Sequence, residues 1–507
     1  MPGRSERLAA ALWPLTRLRR WQRIALQVTT VLLAGLAGVA TGLDAPVLRL
    51  AALAAGAPTS SVTPTTAPPP APPPAPPLPR RTLRPVTDDG PAPTPTGVAA
   101  LLEPLVAAGG LGALSGQVLD PATGTVLWQR APTAALVPGS TAKLLTAAAA
   151  LLALDHQARL RTTVVAGAAP GTVVLVGGGD PTLSAAAPGT PTSYPGAARL
   201  DDLAAQVRQA AAGPIRRVIV DVHRYQGDPM APGWLPEDVA GGYIAPIEPV
   251  MLDGGRADPT KDVSPRAAKP ATAAAAELAR RLGADPDTVT TGSAPPGATV
   301  LGQVWSPPVA DLVATALRRS DNVLAEALAR EVARASGEQP SFTGAAQAVL
   351  SVLRQHGFDI GQVRLVDGSG LSTQDAIPAR LLTELLAAAA APDHSPPALA
   401  SAVGVGIAGA VRDEQRTAAL RPLLVGLPVA GGEGTLADRY HGSAAAGRGW
   451  VRAKTGTLTG VNSLAGTVLD ADGRVLVFAL LSNGPNPASV RPRLDVLAAA
   501  LRSCGCH

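Results

Sequence analysis

The sequence predicts an α/β chain of the α+β kind, in which a five-stranded antiparallel sheet is flanked by helices and β-rich material is inserted into the middle. Three observations lead there. Two strand-like runs around a turn open the folded part and three more close it, so sheet pairing must join the two ends of the chain. A strongly apolar helix follows the opening pair, and helical periodicity returns well before the closing strands. Between those helices lies a stretch broken by glycine and proline that is too long to be a simple connection.

Before the folded part comes a segment of different character. The 507 residues carry a formal net charge of +5, and the first 23 account for it, with Arg4, Arg7, Arg17, Arg19, Arg20 and Arg23 against Glu6. The remainder is near neutral and only 3% of the chain is aromatic, so a basic surface with stacking side chains for nucleic acid is not expected. Residues 24–43 are free of charge and long enough to cross a hydrocarbon core of about 30 Å as a helix. Arginines ahead of such a span place residues 1–23 in the cytoplasm and everything downstream outside it. The membrane is therefore an expected partner through this segment, as an anchor or as a signal removed near the small residues 54–57. Residues 58–97 are rich in Pro, Thr and Ala and cannot bury a core. As polyproline II, at about 3.1 Å per residue, they would form a stiff linker on the order of 100 Å long.

The folded part begins with residues 115–119 and 125–129 on either side of Asp120-Pro121-Ala122-Thr123-Gly124, which reads as a hairpin. Pro138-Gly139 then breaks the chain. From Ser140 the run through Lys143, Leu144, Leu145 and the alanines to residue 154 is apolar all round, which marks a helix buried on every side. Ser140 falls in its first turn and Lys143, three residues on, shares its face. Residues 162–303 read as one or more inserted domains, with strands at 172–176 and 217–221, and the main domain comprises 98–161 and 304–507. Helical periodicity resumes at 309–318 and from Val323, where Leu324, Leu328 and Val332 recur every four residues. Strands follow at 449–457, 463–469 and 474–482, and a helix at 491–501. Cys504 and Cys506 end the chain. Bridging them would close a very short, strained ring and a metal would need further ligands, so this end reads as a frayed tail to which the fold owes nothing.

Only four lysines stand against 39 arginines, and two of the four lie in short motifs that belong together chemically. They are Ser140-Thr141-Ala142-Lys143 and Lys454-Thr455-Gly456, with Ser320-Asp321-Asn322 between them. In this order they match the S-x-x-K, S-D-N and K-T-G signatures of penicillin-interacting serine acyl-transferases. Lysine has been kept where a titratable amine is needed. A serine hydroxyl requires a positioned base; Lys143 can be that base for Ser140 if burial and the nearby charge of Lys454 depress its pKa. Ser320 is read as a proton-transfer group and Asn322 as a hydrogen-bond partner for a substrate amide, although either residue also suits a helix N-cap. Lys454 and Thr455 would hold a terminal carboxylate, and Gly456 would leave the strand edge clear for a substrate backbone. The backbone N–H groups of Ser140 and Thr457 are the expected oxyanion hole, where losing one donor typically costs about 3 kcal/mol. None of the six histidines sits in a metal or triad motif, and Gly177-Gly178-Gly179 lacks the spacing of a dinucleotide loop, so neither metal nor cofactor is expected.

Over residues 99–483 the sequence resembles the D-alanyl-D-alanine carboxypeptidase/endopeptidase family, the low-molecular-mass class C penicillin-binding proteins. Beyond the three motifs the resemblance includes Gly177-Gly178-Gly179-Asp180-Pro181-Thr182-Leu183, Ser306-Pro307-Pro308, Asp367-Gly368-Ser369-Gly370-Leu371-Ser372, Leu427-Pro428-Val429-Ala430-Gly431 and Gly434-Thr435-Leu436. The long gap between Lys143 and Ser320 is also family-like. The resemblance implies a transpeptidase/β-lactamase-like domain in the bacterial cell envelope, outside the cytoplasm. It implies peptidoglycan stem peptides as substrate and β-lactams as covalent inhibitors. Thr373, Asp375 and Glu433 depart from the family's usual Arg, Asn and Asp. Two rival readings are a β-lactamase or esterase on the same fold and a non-catalytic sensor of β-lactams or wall fragments. The first needs a second base to aim water, and Glu237, Glu248 and Glu277 have no motif context for it; the second sits poorly with three intact motifs.

Overall fold

The computed structural model describes residues 91–392, 414–484 and 486–507. The membrane segment expected at 24–43 and most of the 58–97 linker lie outside these. Among the described residues no helix is long and apolar enough to cross a membrane.

Helix α1 (Pro95–Ala107) starts inside the range read as linker. Thr94 caps it, its hydroxyl accepting from Gly97 N at 3.0 Å, and Pro95 takes the position where a missing N–H costs nothing. The hairpin β1 (Ala113–Asp120) and β2 (Thr125–Arg130) follows. After a tight 3₁₀ turn at Gly139–Ala142, the chain enters α2 (Lys143–Ala153), whose side chains are buried almost throughout. Ser140 therefore stands in the 3₁₀ turn ahead of the helix, not in its first α-turn. Gly139 has φ 53° there, a left-handed conformation natural to glycine.

The stretch read as inserted contributes most of a second five-stranded sheet, made of β3 (Arg159–Ala166), β4 (Thr172–Val176), β5 (Arg217–Asp221), β6 (Thr290–Thr291) and β7 (Val300–Pro308), in the order β6-β5-β4-β3-β7. β3 is antiparallel to β4 and β7, whereas β4, β5 and β6 run parallel. Parallel neighbours need crossover connections. The β4 to β5 crossover contains α3 (Leu200–Ala210), and β5 to β6 contains α4 (Pro270–Leu282). Both helices pack an apolar face on this sheet, Leu203 and Val207 from one and Ala274 and Leu278 from the other.

The chain then returns through α5 (Val309–Arg319), α6 (Asn322–Ala335), α7 (Phe342–Gln355) and α8 (Ala379–Ala390) to the closing strands β8 (Val451–Leu458), β9 (Val461–Leu469) and β10 (Val475–Asn483), and ends in α9 (Pro487–Arg502). As the patterning predicts, these strands join the opening hairpin in one antiparallel sheet ordered β8-β9-β10-β1-β2. The seam is β1 on β10, with Ala113 opposite Asn483 and Leu119 opposite Val477. Alternation along β10 builds both cores. Leu476, Phe478 and Leu480 face α1 and α9, and Val477, Ala479 and Leu481 face the helices around α2.

The chain end is not frayed. Cys504 and Cys506 are bonded to each other, Cys504 is 1% exposed among α1 and α9 side chains, and Thr94 N donates to the Cys506 carbonyl at 2.7 Å. The sequence shows no partner for this tail because its partner is the first helix, more than 400 positions away along the chain.

Candidate active site

The site is assembled where the turn before α2 meets the edge strand β8. The Pro138 carbonyl accepts from Thr141 Oγ1 at 2.8 Å and from Ser463 Oγ at 2.5 Å, which pins the turn to β9. Asn483 clamps the approach, accepting from Val137 N at 2.9 Å and donating to its carbonyl at 3.1 Å. The contact with β8 depends on glycine. A Cβ on Gly456 would lie 2.4 Å from the Pro138 carbonyl oxygen and 2.2 Å from Ser463 Oγ. Sequence reasoning gave Gly456 the task of clearing space for a substrate. In the structure that space holds the protein's own turn, so the glycine lets Ser140 approach the strand. A Cβ on Gly139 would lie 3.2 Å from Thr457 N, which places the start of the turn directly against that amide.

Lys143, 1% exposed, points its Nζ at Ser140 Oγ (2.9 Å), Asn322 Oδ1 (2.5 Å) and the Ser369 carbonyl (2.7 Å). Burial lowers its pKa to about 8, against the opposing pull of the Asp367, Glu326, Asp321 and Asp375 carboxyl groups. The Lys454 charge, expected from the sequence to share in this depression, is not among its causes. The charge effect falls instead on Lys454, which is fully buried and pushed well below its ordinary value by burial first, then by Lys143 and Arg439. Lys454 Nζ donates to Ser320 Oγ at 2.8 Å and to the Thr455 carbonyl at 2.7 Å.

Neither Ser320 nor Asn322, the two residues suited to an N-cap, supplies it. Ser320 closes α5 in the left-handed region at φ 56°, and Asn322 is already the first residue of α6. The cap is Asp321, whose Oδ1 accepts from Leu324 N at 2.9 Å. Its Oδ2 accepts from Tyr194 Oη at 2.8 Å and Arg256 Nη2 at 3.0 Å, both from the inserted region. Burial pushes the Asp321 carboxyl up, but Arg256, Arg266 and the capped N–H outweigh it and bring it down to about 2. The cap frees the neighbouring side chains for the cleft. Asn322 Nδ2 donates to the Tyr243 carbonyl at 2.9 Å, again in the insert.

Ser140, Ser320, Thr455 and Thr457 line one cleft of about 480 Å³, together with Gly434, Thr435, Asp438, Arg439 and Arg491. Thr455 Oγ1 donates to Thr435 Oγ1 at 2.9 Å. Of the other site residues named from the sequence, Lys143 and Lys454 are one hydrogen bond from this cleft, Asn322 reaches it through Lys143, and Gly456 lies between two residues that line it. Sequence reasoning missed the carbonyls of Ser369 and Tyr243, because a backbone acceptor leaves no residue-type signal; the Asp367-Gly368-Ser369-Gly370 turn was visible, but not its task. It also missed the cationic pair Arg439 and Arg491, which lie outside the three motifs. Among the described residues no cluster of three or more His, Cys, Asp or Glu side chains is arranged to hold a metal.

Comparison with known proteins identifies the family and the fold. The chain matches the family described as the D-Ala-D-Ala carboxypeptidase 3 (S13) family over residues 98–262, 256–419 and 405–501. It is 48% identical over 426 residues to Carboxypeptidase DacB of Mycolicibacterium smegmatis, which spans 83% of this chain and 87% of that one. It is 47% identical over 426 residues to Carboxypeptidase Rv3627c of Mycobacterium tuberculosis, with the same 83% and 87% coverage. Among solved structures it is similar in fold to penicillin binding protein 4 of Haemophilus influenzae, with a TM-score of 0.62 at 22% identity over 80% of this chain and 98% of that one.

Proposed function

The chain belongs to the D-Ala-D-Ala carboxypeptidase 3 (S13) family, and on that premise we propose that Ser140, Lys143, Ser320 and Lys454 are its acyl-transfer machinery. The protein is a serine-type D-Ala-D-Ala carboxypeptidase of the penicillin-binding kind. The observation that carries the assignment is the 2.9 Å contact between Ser140 Oγ and an amine that burial brings to about 8, so a useful fraction is neutral near physiological pH.

In the forward reaction Ser140 Oγ bonds to the carbonyl carbon of the penultimate D-Ala while its proton passes to Lys143. The oxyanion is held by the N–H groups of Ser140 and Thr457, which need no reorganisation as charge develops. Collapse breaks the C–N bond, and Ser320 gives its hydroxyl proton to the departing D-Ala amine and is reprotonated from Lys454. Water then hydrolyses the acyl-serine. Asn322 holds the substrate amide, while Thr455 and Lys454 take the terminal carboxylate. An arriving carboxylate favours the charged form of Lys454, so substrate itself restores the proton that burial discourages.

The same chemistry opens the β-lactam amide, where the acylating carbonyl stays tethered to its leaving group. Peptidoglycan peptides and β-lactams are the ligands, and cleavage of D-alanyl cross-links is a second activity open to the same groups. These substrates lie outside the cytoplasm. The charge-free residues 24–43 behind six arginines support a membrane anchor or export signal, with the proline-rich stretch from 58 up to the start of α1 as a spacer.

Labelled penicillin tests the nucleophile. Ser140→Ala should fold and fail to form a covalent adduct; an adduct on that variant would mean another residue attacks.

A further inference from the structure

Behind the base lies a turn whose buried acids take no part in the steps above. Asp367 and Asp375 are each 1% exposed. The Asp367 carboxylate accepts from Ser369 N (3.1 Å), Gly370 N (2.6 Å), Ser372 N (2.7 Å) and the Trp234 indole (2.8 Å). Those bonds shape the turn that presents the Ser369 carbonyl to Lys143. The turn has little room to shift, since a Cβ on Gly370 would lie 2.0 Å from the Gly139 carbonyl oxygen.

Asp375 meets the same carboxylate. Its Oδ1 accepts from Val366 N at 2.7 Å, while its buried Oδ2 meets no N–H or hydroxyl donor. Asp367 is the charged neighbour that acts on the Asp375 carboxyl most strongly. A buried carboxylate oxygen with no donor beside a second buried carboxylate favours the protonated form, whose O–H can donate to that neighbour. Asp367 already accepts from four N–H donors, whereas Asp375 accepts from one.

We propose that Asp375 keeps its proton at neutral pH and donates it to Asp367, making it a positioning residue that holds the turn, the Ser369 carbonyl and thereby the Lys143 amine on Ser140. Burial first, and the Asp367 charge next, push the Asp375 carboxyl up to about 10. The other charged or titratable groups coupled to it are Glu326 on α6 and Lys143 on α2. Glu326 accepts from Gly368 N at 3.0 Å, and burial followed by the Asp367 charge raises it to about 8. Loss of the Asp375 proton would put two negative charges on the pair. The turn would be repelled open, and Lys143 would hold more tightly the proton it must lack. Acylation should therefore rise with pH as Lys143 deprotonates and fall again as Asp375 ionises.

Asp375→Asn tests this, because its amide donates to Asp367 and accepts from Val366 N in the same shape without titrating. Penicillin acylation near neutral pH should stay within about threefold of wild type, and the alkaline fall should disappear. Asp375→Ala, lacking both bonds, should acylate at least about tenfold more slowly across the pH range. Stability reads the proton independently of the reaction. A native pKa above the unfolded one makes stability fall as pH rises between the two values. The Asn variant escapes that loss and should have a Tm at about pH 8 no lower than wild type. Asparagine as slow as alanine, an unchanged alkaline limb, or a lowered Tm for Asp375→Asn would each overturn the proposal. The inference rests on Lys143 being the base, and the two fail separately: normal acylation by Lys143→Arg would remove the base yet leave the Tm comparison intact.

Discussion

Lys143 can accept a proton only because burial outweighs the carboxyl groups behind it. The balance is visible in the direction of its shift, down to about 8 despite Asp367, Glu326, Asp321 and Asp375. Arginine at this position keeps the charge and cannot supply a neutral amine. Lys143→Arg should therefore lower the rate of penicillin acylation by about 100- to 10,000-fold, roughly 3 to 5 kcal/mol of barrier, measured by single-turnover labelling. In the wild type the same rate should climb as pH approaches 8, because the active form is the deprotonated one. A rate independent of pH between 6 and 8 would point to a different base. At this scale the sequence was most informative, since rare lysines and two serines carry their chemistry in their residue type. The contacts that orient them were hidden for a physical reason: Ser369 and Tyr243 act through carbonyls that every residue possesses.

Two elements meet at the nucleophile, the turn before α2 and the edge strand β8, and Gly456 sets their distance. Gly456→Ala would put a methyl group 2.4 Å from the Pro138 carbonyl oxygen, so the turn must retreat and Ser140 with it. Acylation should fall by about 100-fold, as expected when reacting groups are displaced by the order of an ångström. Circular dichroism should still report a folded sheet. Unimpaired acylation would show that the turn tolerates the retreat. The insert is likewise an element of the site, because Arg256 pairs with Asp321 at 3.0 Å with side-chain exposures of only 5% and 1%. Arg256→Ala strands a buried carboxylate and should cost about 3–5 kcal/mol in denaturant unfolding. A loss below 1 kcal/mol would mean that Tyr194 and Arg266 suffice. The sequence marked the insert by its composition but gave no sign that it braces the middle motif. Asp321 sits inside the Ser-Asp-Asn motif, and its partners lie 65 and 127 positions away.

Across the whole molecule, the sheet that joins the chain ends was legible because strand alternation and turn residues are local signals. The α1 to tail contact was not, as it pairs Thr94 with Cys506 through backbone groups. That contact fixes where the folded part starts. A chain beginning at Pro91 should be soluble and as active on small peptides as the full protein. One beginning at Ala99 loses the Thr94 cap and Val98, which is fully buried, and should melt several degrees lower. Equal melting of the two would mean that the first turn of α1 adds nothing to the fold. Ser140 is expected to form an acyl-enzyme built for peptide turnover rather than for β-lactam destruction. The deciding measurement is mass spectrometry of the Pro91-initiated protein incubated in parallel with penicillin and with a diacyl-lysyl-D-Ala-D-Ala peptide. A penicillin adduct on Ser140 should last for minutes or longer, while D-Ala is released from the peptide through many turnovers. Rapid multiple-turnover hydrolysis of penicillin with no release of D-Ala would contradict it.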